Sequence, residues 1–114
     1  MRRPLVAGNW KMHGSRQSVE ALLQQLAAQD WPEQVELMIA PPALYIERCV
    51  EALQATPIRV AGQACATQAE FGALTGEISP AQLRDAGCEF VLVGHSERRA
   101  LFGETDEVVC RKFA

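Results

Sequence analysis

Three apolar runs in this sequence end on side chains able to do charge or acid–base chemistry. Asn9, Trp10 and Lys11 follow Leu5-Val6-Ala7-Gly8, and Gln63 follows a run from Ile58 to Ala61. The stretch VLVGHSERRA, residues 91–100, passes from Val93 and Gly94 directly into His95, Ser96, Glu97, Arg98 and Arg99. Lys11 is either a surface lysine whose stem lies over Trp10 or a fixed ammonium that anchors an anionic substrate. Asn9 is either a turn residue or a donor that orients the lysine or its ligand. His95 precedes a helical turn opening at Ser96, and the partial positive charge of a helix N-terminus disfavours imidazolium. A neutral imidazole still donates a hydrogen bond. His95 therefore reads as an electrophile toward a carbonyl oxygen, or else as a satisfied structural histidine. Glu97 is a carboxylate of the same site or an ion-pair partner of Arg98 or Arg99. His13, in a loop, and Trp31, beside Pro32, read as structural.

The elements that must hold these groups alternate. Leu5-Val6-Ala7 reads as a short buried strand. In residues 15–29, Val19, Leu22, Leu23, Leu26 and Ala27 fall on one helical face, with Ser15 or Ser18 as N-cap. A second strand spans Val35 to Ala40 and stops at Pro41-Pro42. Leu44, Ile46, Cys49, Val50 and Leu53 then define a second helical face, and Ile58 to Ala61 a third strand. A long polar, Gly-rich segment runs from Gly62 to Glu77. Ser79 and Pro80 open a third helix that Gly87 closes. Phe90 to Val93 is the fourth strand, and a last helix starts near Thr105 with Val108, Val109 and Phe113 as its apolar face. The order β-α-β-α-β-α-β-α, with strands apolar on both faces, predicts an α/β fold with a parallel sheet and helical crossovers. Ligands of such sheets bind at the carboxyl ends of the strands, where Lys11, Gln63 and His95 lie.

Composition narrows the function classes. The 114 residues are 48% hydrophobic and 22% charged with a formal net charge of -3, an ordinary single-domain composition. No sustained Lys/Arg run marks a nucleic-acid surface. No apolar segment approaches the roughly 20 residues of a membrane helix. The basic start MRRP is followed by too short an apolar stretch for an export signal. Cys49, Cys65, Cys88 and Cys110 lie far apart, with neither CxxC spacing nor clustered histidine, so no metal site and no disulfide framework are expected. Cys49 and Cys88 read as core thiols of a reducing, cytoplasmic compartment. The last helix reaches Ala114 without a capping Gly, Asn or Pro, and four parallel strands leave two sheet edges. Both features predict that residues 1–114 belong to a longer chain.

Taken together, GNWKM at 8–12, APP at 40–42, GALTGEIS at 72–79, VGHSERR at 93–99 and GETDEVV at 103–109 resemble the triosephosphate isomerase family, in its order and spacing. The resemblance runs from Pro4 to Ala114. It implies the first half of a single (β/α)8 TIM-barrel domain, with about four βα units in residues 1–114. It also implies a cofactor-free interconversion of dihydroxyacetone phosphate and glyceraldehyde 3-phosphate through an enediolate. By matching position, Asn9 would hydrogen-bond substrate, and Lys11 would hold the phosphate side and stabilise developing negative charge. His95 would polarise the carbonyl and shuttle protons, with Glu97 as a supporting carboxylate near Lys11. The Gln63–Glu77 segment resembles the family's dimer loop. Thr75 would reach the partner subunit's Asn9 and Lys11, Glu77 would pair with the partner subunit's Arg98, and Glu104 would pair internally with an arginine.

Three positions depart from the family pattern: Ala64 for the usual Asn or Asp, Leu74 for Phe, and His13 for Asn. The EPVWAIGTG-like segment that carries the family's catalytic glutamate does not occur in the sequence, nor do the phosphate loops of the last strands. A complete barrel needs about 200 residues or more. The 114 residues alone are therefore expected to be inactive. The competing reading is a non-catalytic half-barrel that serves folding or assembly.

Overall fold

The computed structural model describes residues 2–114, and it builds the expected α/β architecture. Strand β1 (Leu5–Asn9) leads to helix α1 (Arg16–Ala27), then β2 (Glu36–Ala40) and α2 (Ile46–Ala52). Strand β3 (Ile58–Gly62), α3 (Pro80–Asp85), β4 (Phe90–Val91), α4 (Ser96–Phe102) and α5 (Asp106–Phe113) follow. The four strands form one sheet in the order β1-β2-β3-β4, every pairing parallel.

Local chemistry sets the helix starts. Ser15 caps α1 by accepting from the Ser18 amide, while the Ser18 hydroxyl accepts from the Ser15 amide, a reciprocal box that satisfies two otherwise orphaned donors. Ser79 and Gln82 make the same box at α3, with Pro80 at the first helical position. Thr105 caps α5 through the Val108 amide.

Pleating separates two faces of the sheet. Ile39, Ile58 and Val60 point toward the helices, where they pack with Val19 and Leu23 of α1, Ile46 and Cys49 of α2, and Leu83 of α3. Leu23 is 1% exposed, a burial that stabilises by about 1.5–3 kcal/mol. Met38, Ala40 and Ala61 alternate onto the opposite face, together with Leu92. Trp31 packs on the core and donates its indole N–H to the Leu26 carbonyl at 2.9 Å. Cys49, Cys65 and Cys88 are buried free thiols, and burial holds all three above the usual thiol value, Cys49 at about 11.

Four sequence expectations need correction. Strands buried on both faces describe β2 and β3 only; Leu5 and Val6 of β1 are half exposed and Phe90 of β4 is 40% exposed, because each outer strand has a neighbour on one side alone. The fourth strand ends at Val91 rather than Val93, since the chain turns away through Gly94 at φ 68°, although the Leu92 amide still bonds the Gly62 carbonyl. Leu44 is exposed rather than on a helix face. A 3₁₀ turn at Ala43–Tyr45 precedes α2, and its tighter winding shifts the phase. Phe113 is exposed, leaving Val108 and Val109 as the half-buried apolar residues of α5.

Candidate active site

Register places the polar groups together. Asn9 pairs with Ala40 across β1 and β2, Val60 and Ile39 pair across β2 and β3, and Gly62 pairs with Val91 across β3 and β4. The residues that follow these strand ends, Lys11, Gln63 and His95, therefore stand along one carboxyl edge.

At the end of β1, Asn9 makes a turn over its own chain, its Oδ1 accepting from the Lys11 amide at 2.9 Å. Lys11 itself has φ 53°, the one positive-φ residue other than glycine among the described residues. That backbone costs about 1–2 kcal/mol for a residue with a Cβ, and its persistence marks a constrained position. Its ammonium reaches across to Glu97 Oε1 at 2.5 Å rather than lying over Trp10 as a solvated lysine would.

At the end of β4, Gly94 takes the left-handed turn that aims His95 at the N-terminus of α4. A Cβ on Gly94 would stand 2.9 Å from Val109 and 3.1 Å from Arg99, so packing as well as φ requires glycine there. His95 is the N-cap residue, and its Nδ1 accepts from the Glu97 amide at 3.0 Å. An imidazole nitrogen that accepts an amide proton carries none of its own. This bond therefore fixes the neutral ring with its proton on Nε2. The contact of Nδ1 with Glu97 Oε2, 3.8 Å, is accordingly not an ion pair.

Glu97 sits between the two groups, and the choice left open for it is decided: its carboxylate pairs with Lys11. Arg98 instead donates to Glu104 at 2.6 Å, and Arg99 to Asp106 at 2.6 Å. The hydrogen bond from Lys11 holds the Glu97 carboxyl below the usual 4.5, against the opposing effect of burial and with help from the Lys11 charge. The Glu97 carboxyl resonance should therefore titrate with a midpoint below 4.5, and Lys11→Met should move it back up. An unshifted midpoint in both proteins would mean that the pair does not form in solution.

Gln63 also faces this site. Its Nε2 donates to the Lys11 carbonyl at 2.7 Å and to the Ala40 carbonyl at 2.9 Å. Behind α4, Glu104 accepts from both Arg98 and Lys112 at 2.6 Å, with its side chain 6% exposed and that of Lys112 5% exposed. The Arg98 contact is the arginine pairing that the resemblance implies for Glu104, and Lys112 is a second partner. A lysine in the last turn of a surface helix gives no sequence signal of burial. Thr75 and Glu77 are exposed in the segment between β3 and α3, beside exposed Phe71 and Leu74. Among the described residues no group of three or more His, Cys, Asp or Glu is placed to hold a metal. No described helix is long and apolar enough to cross a membrane.

The His95 ring, through its Nδ1 edge, and the Lys11 ammonium thus flank the Glu97 carboxylate at the end of a parallel sheet and leave Nε2 as the ring's donor, a set suited to stabilising an oxyanion and moving protons. The family model described as triosephosphate isomerase matches residues 4–114. This chain belongs to that family. Among its curated relatives, the triosephosphate isomerases of Pseudomonas syringae pv. tomato, Ectopseudomonas mendocina and Pseudomonas putida (strain W619) are 58%, 55% and 54% identical to it. Each match covers all 114 residues of this chain and 45% of the relative, so the chain spans about half the length of the curated relatives it matches. Within the family frame, the four-stranded sheet with its intervening helices is consistent with the first half of a TIM barrel.

Proposed function

We propose that a complete chain containing residues 1–114 is a triose-phosphate isomerase that interconverts dihydroxyacetone phosphate and D-glyceraldehyde 3-phosphate. The observation that carries this reading is the trio His95, Lys11 and Glu97, held in one geometry by the Gly94 turn and the α4 cap. The His95 Nε2–H donates to the substrate carbonyl and exchanges protons between the two oxygens of the enediolate. Lys11 holds the phosphate side and offsets the negative charge that develops, Glu97 keeps the ammonium in place, and Asn9 adds a contact to substrate. The carbon-bound proton is moved by a glutamate in the part of the relatives' length that this chain does not span. No cofactor enters the chemistry.

The proposal extends to assembly and location. The complete protein is a cytoplasmic homodimer in which Thr75 approaches the partner's Asn9 and Lys11, and Glu77 meets the partner's Arg98, with Gln63 at the edge of the contact. The exposed Phe71 and Leu74 of the same segment, and Met12, which is 94% exposed, support an interface there.

Dihydroxyacetone phosphate supplied to the complete chain should yield glyceraldehyde 3-phosphate, and the 114-residue chain alone should give no turnover above background. An inactive complete chain would overturn the isomerase reading, and turnover by the 114 residues alone would overturn both the need for the missing glutamate and the reading of residues 1–114 as a non-catalytic half-barrel.

A further inference from the structure

We propose that Gln63 is a positioning residue for Lys11: its carboxamide holds the carbonyl of the left-handed lysine and so fixes the direction from which the ammonium enters the site. The claim that this matters for turnover rests on the isomerase reading above. Two side chains grip the Lys11 peptide units from opposite ends. Asn9 Oδ1 takes its amide hydrogen, and Gln63 Nε2 gives a hydrogen to its carbonyl oxygen. The second Gln63 hydrogen goes to the Ala40 carbonyl, which also accepts from the Trp10 amide at 3.0 Å. One carboxamide thus ties the end of β3 to the end of β2 and to the loop after β1.

The tie answers a conformational need. A lysine at φ 53° persists only where its surroundings over-determine it. The Asn9 turn restrains the amide side alone. Beyond the backbone, the lysine side chain is half exposed and its ammonium has one partner among the described residues, Glu97. The stem is long and flexible, so the direction of the Cα–Cβ bond governs where the charge stands. Ala40, by contrast, is 2% exposed and anchored in the sheet, which makes it a rigid reference for the carboxamide.

The test is Gln63→Met in the complete chain, since methionine matches the length and donates nothing. Measurements are made at a concentration where the oligomer of the parent protein persists. We expect kcat/KM to fall about ten- to a hundredfold, as for a small misplacement of a catalytic group. In a Lys11→Met background the same change should cost less than about twofold, because coupled sites are not additive. An equal loss in both backgrounds would show that Gln63 acts otherwise than through Lys11. A crystal structure of Gln63→Met should show the Lys11 backbone out of the left-handed region; an unchanged φ overturns the proposal. That structure decides the positioning claim even if the complete chain proves not to be an isomerase. Should the methionine variant not fold, Gln63→Asn, too short to span both carbonyls, takes its place with the same expectations.

Discussion

A Lys11→Ala variant of the complete chain is expected to lose about a hundred- to a thousandfold in kcat/KM, the scale seen when a preorganised electrostatic donor is removed. The geometry says why the loss should be chemical and not structural. Lys11 and Glu97 side chains are each about half exposed, at 49% and 47%, and the ammonium packs into no core. An exposed pair of this kind holds little of the fold together. The left-handed backbone at position 11 is gripped through its amide and carbonyl, both of which alanine keeps. The urea midpoint should therefore stay where it was while turnover collapses. Because Lys11 is proposed both to hold phosphate and to stabilise the enediolate, KM should rise and kcat should fall. Activity that survived the change would remove the lysine from the mechanism.

The largest expected effect on stability lies away from the chemistry, at Glu104. Replacing it with leucine should cost about 3–5 kcal/mol at pH 7, because the Lys112 ammonium would remain buried without a counter-ion. Both Arg98 and Lys112 donate to the same oxygen, Oε2, while Oε1 is buried with no hydrogen-bond partner. That carboxylate joins α4, which carries His95 at its cap, to α5. Burial pushes the Glu104 carboxyl up, but the hydrogen bonds from Lys112 and Arg98 outweigh it and leave it below the ordinary 4.5. The sign of the pH dependence follows: the contribution is complete above about 4.5 and is lost as pH falls through the folded value. Urea unfolding should show the parent protein weakening on acidification below 4.5, and Glu104→Leu weakening less steeply. Adding Lys112→Met should restore most of the loss, since both charges then leave the interior together. A single-variant loss of about 1 kcal/mol or less would mean that solvent reaches Lys112 in solution.

Local signals in the sequence were strong where structure is local. Ser15, Ser79 and Thr105 announced helix starts, and each caps through its own side chain. The alternation of apolar runs and helical faces gave the parallel sheet, and strand ends located Lys11, Gln63 and His95 on one edge. What was not legible depends on groups distant in sequence. Lys11 meets Glu97 across 86 residues, a contact that the family resemblance implies but no spacing rule does, and it meets Gln63 across 52, a contact that neither implies. The left-handed turn at Lys11 is likewise imposed from outside, since nothing in its residue type favours φ above zero. Lys112 carries no sequence signal of burial, because its partner Glu104 lies eight residues earlier, outside its own helix. The half exposure of β1 is illegible for the opposite reason: Leu5 and Val6 describe what a strand can bury, not how many neighbours it has.

The central claim, that this site serves enediolate chemistry, is tested most directly by running the complete chain on dihydroxyacetone phosphate in D2O and reading the product by mass. The account predicts rapid formation of glyceraldehyde 3-phosphate with deuterium at C2 in at least part of it, because the proton taken from C1 passes through an exchangeable acid before it is returned. No turnover, or turnover without any deuterium at C2, would contradict it.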